Sequence, residues 1–111
     1  MVIDTIHDLI AAHGCQLRLL MREALVPSDW SAWVSAPARG YIETFSSGPW
    51  RTAEVAYLEI NPVATTYIGR LVTERRTDHR AALESGLTAA GLTWEPAGPY
   101  LRVFLPLEPP V

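Results

Sequence analysis

Apolar residues near the start of the chain recur at helical spacing, with Ile3, Ile6, Leu9 and Ile10 on one face. Asp4 and Asp8 stand in the early turns, where the helix dipole favours negative charge. Gly14 is placed to end this helix, because glycine takes the left-handed conformation after a last turn. The period then changes. Cys15, Leu17, Leu19 and Met21 alternate with Gln16, Arg18, Leu20 and Arg22, a half-buried strand pattern that Gly14 separates from the helix. Leu17, Leu20, Met21 and Ala24 also fit a helical stripe, so residues 15–25 read as strand first and helix second.

Proline and glycine punctuate 27–40, where Ser28 or Asp29 could cap one short helical turn carrying Trp30, Trp33 and Val34. Tyr41 to Phe45 reads as a short strand, and Ser46-Ser47-Gly48-Pro49 as a turn. Ala53 to Ile60 alternates most cleanly: Ala56, Leu58 and Ile60 face one way and Val55, Tyr57 and Glu59 the other. Asn61-Pro62 closes it, and the β-branched and aromatic run Thr65 to Val72 predicts another strand. A second helix follows, capped by Thr77 or Asp78, striped by Leu83, Leu87 and Ala90, and stopped by Gly91. Ala82, Gly86 and Ala89 beside that stripe would let it lie close against a sheet. Leu92 to Glu95 and Tyr100 to Leu105 form a hairpin about Pro96-Ala97-Gly98-Pro99, and the proline-rich 106–111 predicts a mobile tail.

These elements predict one α+β domain over 1–111: a mostly antiparallel sheet of four to six strands with one or two helices packed on one face. Composition agrees. Hydrophobic residues make up 49% and charged residues 19%, enough apolar surface for a core without staples.

The net charge of −3 offers no footprint for nucleic acid, and neither a polybasic run nor a basic amphipathic helix suggests a membrane surface. Residues 1–60 carry seven acids against four bases, whereas 61–111 carry five of each. All nine bases are arginine, and without lysine no Walker phosphate loop, Schiff-base enzyme or lysine general base can be built. The single cysteine excludes an internal disulfide, and no signal-peptide pattern or apolar run of membrane length occurs, so a cytoplasmic location is expected.

Five groups of residues carry candidate chemistry. His7 and His13 are six residues apart and so on different helix faces, and His13 with Cys15 lacks a second pair to complete a metal site. No metal or other cofactor is therefore expected, and Cys15 reads as a small buried apolar residue. Asp78 and His79 head the second helix, with Arg75, Arg76 and Arg80 nearby and Arg70 on the preceding run; together they outline an anion site, which the carboxylate of Asp78 would oppose. Glu59 shares a strand face with apolar neighbours and is a candidate buried acid: a general base if its pKa is raised, half of an ion pair otherwise. Four tryptophans are a surplus, and Trp30 and Trp33 stand in a proline-bounded loop where a protein-binding anchor would sit. Ser46-Ser47-Gly48 lacks the context of a nucleophile elbow, so no catalytic residue is assigned.

The pieces Trp50, Tyr57-Leu58-Glu59-Ile60, Gly69-Arg70-Leu71-Val72, Asp78-His79 and Ala89-Ala90-Gly91 resemble a family of small bacterial proteins of unknown function. The resemblance implies a bacterial origin and marks Glu59 and Asp78, but it carries no activity. The leading expectation is a non-catalytic interaction protein (an inhibitor, an immunity-type protein or a regulator) that binds another protein or pairs as a homodimer. A module for a small anionic ligand is the second, and a small enzyme using Glu59 or the Asp78-His79 pair the third.

Overall fold

The computed structural model describes residues 2–66 and 75–106. Helix α1 (Val2–His13) turns at Gly14 (φ 63°) into strand β1 (Gln16–Met21), so the ambiguous segment 15–25 is strand over 16–21 and turns at 22–23. Strands β2 (Val34–Ser35), β3 (Tyr41–Thr44) and β4 (Trp50–Arg51) follow, then a 3-10 turn (Thr52–Glu54) and β5 (Val55–Asn61). β6 (Val63–Thr66), β7 (Arg75–Asp78), α2 (Arg80–Ala89) and the hairpin β8 (Thr93–Ala97) and β9 (Tyr100–Phe104) complete the order.

All strand pairing among the described residues is antiparallel, in sheets of four (β1-β5-β9-β8), three (β2-β3-β4) and two (β6-β7) strands. The α+β class therefore holds. The large sheet buries one face through two cross-strand rows, Leu17–Ile60–Leu101 and Leu19–Leu58–Val103. Ile3, Ile6 and Ile10 of α1 and Leu83 and Leu87 of α2 join these rows in one core cluster, and fully burying each such side chain contributes roughly 1.5–3 kcal/mol.

Several local expectations change. No helical turn forms at Ser28. Its hydroxyl instead accepts the Leu19 N–H (2.9 Å), and Ser31 bridges to Leu17, so the segment runs extended beside β1 and covers that edge. Val34 enters β2 rather than a helix. Pairing steps from Leu20↔Tyr57 to Met21↔Val55, and this bulge turns Val55 into the core (4% exposed) instead of leaving it beside Tyr57 and Glu59. Helix α2 approaches α1 rather than a sheet at its small residue: a Cβ on Gly86 would stand 2.5 Å from Leu9 Cδ1. Ala90 is exposed, so the buried stripe of α2 is Leu83 and Leu87 alone. Thr65 continues β6 as expected, whereas 67–72 and most of the proline-rich tail lie outside the described residues.

Candidate interaction surface

The outer face of the large sheet carries a ladder of alternating charge. Register sets Arg18 opposite Glu59, Glu59 opposite Arg102, and Arg102 opposite Glu95, one residue from each strand. Arg18 places Nε and Nη2 each 2.9 Å from Glu59 Oε1, and Arg102 bridges Glu95 at 3.2 Å while its Nη2 stands 3.9 Å from Glu59 Oε2. Glu59 is only 9% exposed, as its strand alternation implies, and its carboxylate is matched by two guanidinium groups. Aromatic rings close over these cations. The Arg18 guanidinium lies 4.4 Å from the Trp30 ring centroid and 5.0 Å from that of Tyr100, and Arg102 lies 4.1 Å from Tyr57. Trp30 thus reaches from outside β1 to Tyr100 on β9, with the two ring centroids 5.0 Å apart.

Trp33 goes elsewhere. An extended chain turns residues an odd number apart to opposite faces, and Trp33 stacks on Phe45 (5.3 Å, 25° between planes) at the end of β3. Ser31 holds the two directions apart. Its hydroxyl, on a residue 2% exposed, donates to Trp33 O (2.6 Å) and accepts from the N–H groups of Trp33 and Phe45.

Phe45 is 75% exposed, and Trp50, at the other side of the Ser-Ser-Gly-Pro turn, is 40% exposed. The turn is fixed by Thr44 N–H to Ser47 O (2.8 Å) and by the Trp50 indole N–H to Ser47 Oγ (2.8 Å). Gly48 sits at φ 110°, where a Cβ would meet Ile42 O at 2.8 Å. Beyond Trp50 lies a groove of about 540 Å³, walled by Met21–Ala24 on one side and by Trp50, Ala53 and Glu54 on the other. Arg22 ties the walls together, its Nε donating to Ala53 O (2.8 Å) and its N–H to Glu54 O (2.9 Å). Leu25 and Val26 at the tip of the first wall are 100% and 72% exposed. Leu25, Val26, Phe45 and Trp50 are thus exposed large apolar side chains in two places, Trp50 with the groove and the Leu25–Val26 tip, and Phe45 stacked on the half-buried Trp33. Of these, the sequence singled out only Trp33. An apolar pair directly before Pro27 was the available signal for Leu25 and Val26.

The expected anion residues are placed as follows. Asp78 Oδ1 accepts the Arg80 N–H (2.9 Å) at the start of α2, with His79 at the N-cap position. Arg80 pairs with Glu84 (3.4 Å) and donates to Gly98 O (3.3 Å), while Arg75 and Arg76 lie on exposed β7 and Arg70 is outside the described residues. A negative charge therefore already occupies the helix start. The His79 ring meets that of His13 (4.8 Å between centroids). Cys15 is buried, its thiol reaching the carbonyl oxygens of His13 and Pro62 at 3.7 Å; burial, and secondarily the charge of Asp78, push its pKa above the ordinary 9.0. Among the described residues no cluster of three or more His, Cys, Asp or Glu side chains could hold a metal, and no helix is long and apolar enough to cross a membrane.

Fold and surface define a small α+β domain with a charge-paired sheet and exposed aromatic side chains, Phe45 and Trp50 among them. The chain belongs to a family of unknown function (DUF6678), whose model matches residues 16–105 and so spans both features and the whole Trp50–Gly91 stretch. No curated protein and no solved structure matches it.

Proposed function

We infer that this chain is a small, non-catalytic, cytoplasmic protein-interaction domain that docks a partner protein through Phe45, stacked on Trp33, and through Trp50 and its groove. The observation that carries this reading is the exposure of large apolar side chains, Leu25 at 100%, Phe45 at 75%, Val26 at 72% and Trp50 at 40%, with Trp50 lining a groove. Exposed large apolar side chains beside a groove mark interaction sites, and aromatic residues dominate their binding energy. Trp30 is left out of this surface, because its ring packs on Arg18 and Tyr100 over the large sheet. The Glu59 carboxylate is engaged in the same way, with Arg18 and Arg102, which favours a structural role over proton transfer.

The test is paired affinity capture with wild-type bait and a Phe45→Ser/Trp50→Ser bait, both first shown to be folded by circular dichroism. Partner recovery should fall at least about tenfold with the variant, since removing one hot-spot residue typically costs ~2 kcal/mol or more. Equal recovery would remove the reading.

A further inference from the structure

We propose that β7 pairs edge to edge with β7 of a second copy of this chain, antiparallel, with Thr77 on the twofold axis and Arg76 opposite Asp78 on both sides of it. This edge is separate from the Phe45 and Trp50 surface, and the proposal does not rest on docking there.

The strand is open on one side. β6 and β7 form a sheet of their own, and among the described residues no strand pairs with the far edge of β7. β6 is anchored, with Ala64 in the core, whereas all four residues of β7 are exposed. Two strands alone are marginally stable in water, and an unpaired edge is a template for another strand. The edges of the large sheet are protected differently. The Ser28–Ser31 segment covers β1, and β8 contains Pro96, which lacks an N–H to donate.

The hydrogen bonding within the ribbon decides which groups face that edge. His79 N–H donates to Pro62 O (2.8 Å), one step beyond the Val63↔Asp78 pair. Bonded and non-bonded pairs alternate along an antiparallel ladder, so Thr77 and Arg75 also turn their backbone groups toward β6. Arg76 and Asp78 turn theirs outward. Val63 agrees, since its N–H leaves the ladder for Asn61 Oδ1 (3.0 Å).

Only outward-facing residues can bond across the new edge, which restricts the twofold registers to three. Arg76 opposite Arg76 and Asp78 opposite Asp78 set like charges face to face, which is destabilising. Arg76 opposite Asp78 sets opposite charges together twice, and the two residues exchange both backbone bonds at each position. Thr77 then meets Thr77 of the second copy in the close, non-bonded position between them. Asp78 Oδ1 accepts the Arg80 N–H, and its other oxygen remains for a guanidinium, which has several N–H donors to share. Such an isologous contact closes at two copies.

Sedimentation equilibrium of the full chain up to roughly 1 mM tests the proposal, in a range where even weak specific pairs associate. The wild type should show a monomer–dimer equilibrium, and Arg76→Asp, shown to be folded by circular dichroism, should raise the dissociation constant at least about tenfold. In a Cys15→Ala background, Thr77→Cys should cross-link to itself under mild oxidant, because the two positions adjoin on the axis, whereas Arg75→Cys, two residues off it, should not. A wild-type chain that stays monomeric, a dimer that Arg76→Asp leaves unchanged, or equal cross-linking at both positions overturns the proposal. None of these results bears on capture through Phe45 and Trp50, so the two surfaces stand or fall separately.

Discussion

Replacing Glu59 with leucine would strand the Arg18 guanidinium under Trp30 and Tyr100 with no carboxylate beside it. Breaking a fully buried ion pair by removing one partner costs about 3–5 kcal/mol, whereas an exposed pair is worth about 0–1 kcal/mol. The side chains of Arg18 and Glu59 are 22% and 11% exposed, so the pair sits nearer the buried limit. Two donors 2.9 Å from one carboxylate oxygen add hydrogen bonding to the charge, while the Arg102 contact at 3.9 Å adds little. The expected cost is about 2–3 kcal/mol, after a discount for the water that still reaches Arg18. With a urea slope of about 1–2 kcal/mol per molar for a chain of this size, the midpoint should fall by roughly 1–3 M. Replacing both members, as Arg18→Met/Glu59→Leu, should cost less than the sum of the single changes by about 1–2 kcal/mol, because no charge is then left unpaired. Urea unfolding followed by far-ultraviolet circular dichroism measures all four species. A Glu59→Leu cost below about 0.5 kcal/mol, or strict additivity in the cycle, would refute the claim that the ladder braces the sheet.

Three further expectations separate structural residues from docking ones. Trp30→Ala should destabilise the fold by about 2–4 kcal/mol, as truncation of a packed aromatic does, whereas Phe45→Ala should cost under about 1 kcal/mol; thermal melts giving the reverse order would exchange their roles. Gly48→Ala should cost more than about 1 kcal/mol, because φ 110° is strained for alanine and the obstructing atom is a backbone carbonyl that cannot step aside, and an unchanged melting temperature would contradict this. The Cys15 pKa is raised in the folded chain, so the stability linked to its protonation is fully present below the unfolded thiol's pKa and is lost as pH rises through the folded value. Stability should therefore fall above about pH 9 in the wild type more steeply than in Cys15→Ala, and the native thiol should react with a disulfide reagent far more slowly than the unfolded one; equal alkaline slopes would refute the assignment.

Elements whose period is unbroken were legible in the sequence. The stripe of α1, the alternation of β1 and the hairpin of β8 and β9 each follow from a hydrophobic repeat with glycine or proline next to it, Gly14 between the first two and Gly98-Pro99 in the hairpin turn. Val55 departed from its strand alternation because a bulge depends on the partner strand, which no local pattern encodes. Burial of Glu59 was legible from its neighbours, but its matching to Arg18 and Arg102 required a cross-strand register fixed only by the assembled sheet. Trp30 and Trp33 looked like one site because three residues make nearly one helical turn. The need of β1 for an edge partner drew that loop into an extended path and sent the two rings to different faces. The groove was invisible for a similar reason: Met21–Ala24 and Trp50–Glu54 are far apart in sequence and are brought together by the β1–β5 pairing and by Arg22.

The most direct test of the docking surface is capture by tagged wild-type and Trp50→Ser chains. The account requires a stoichiometric protein, other than the chain itself, that the wild type holds and the folded variant releases. Recovery of that protein in the same amount by both baits would contradict it.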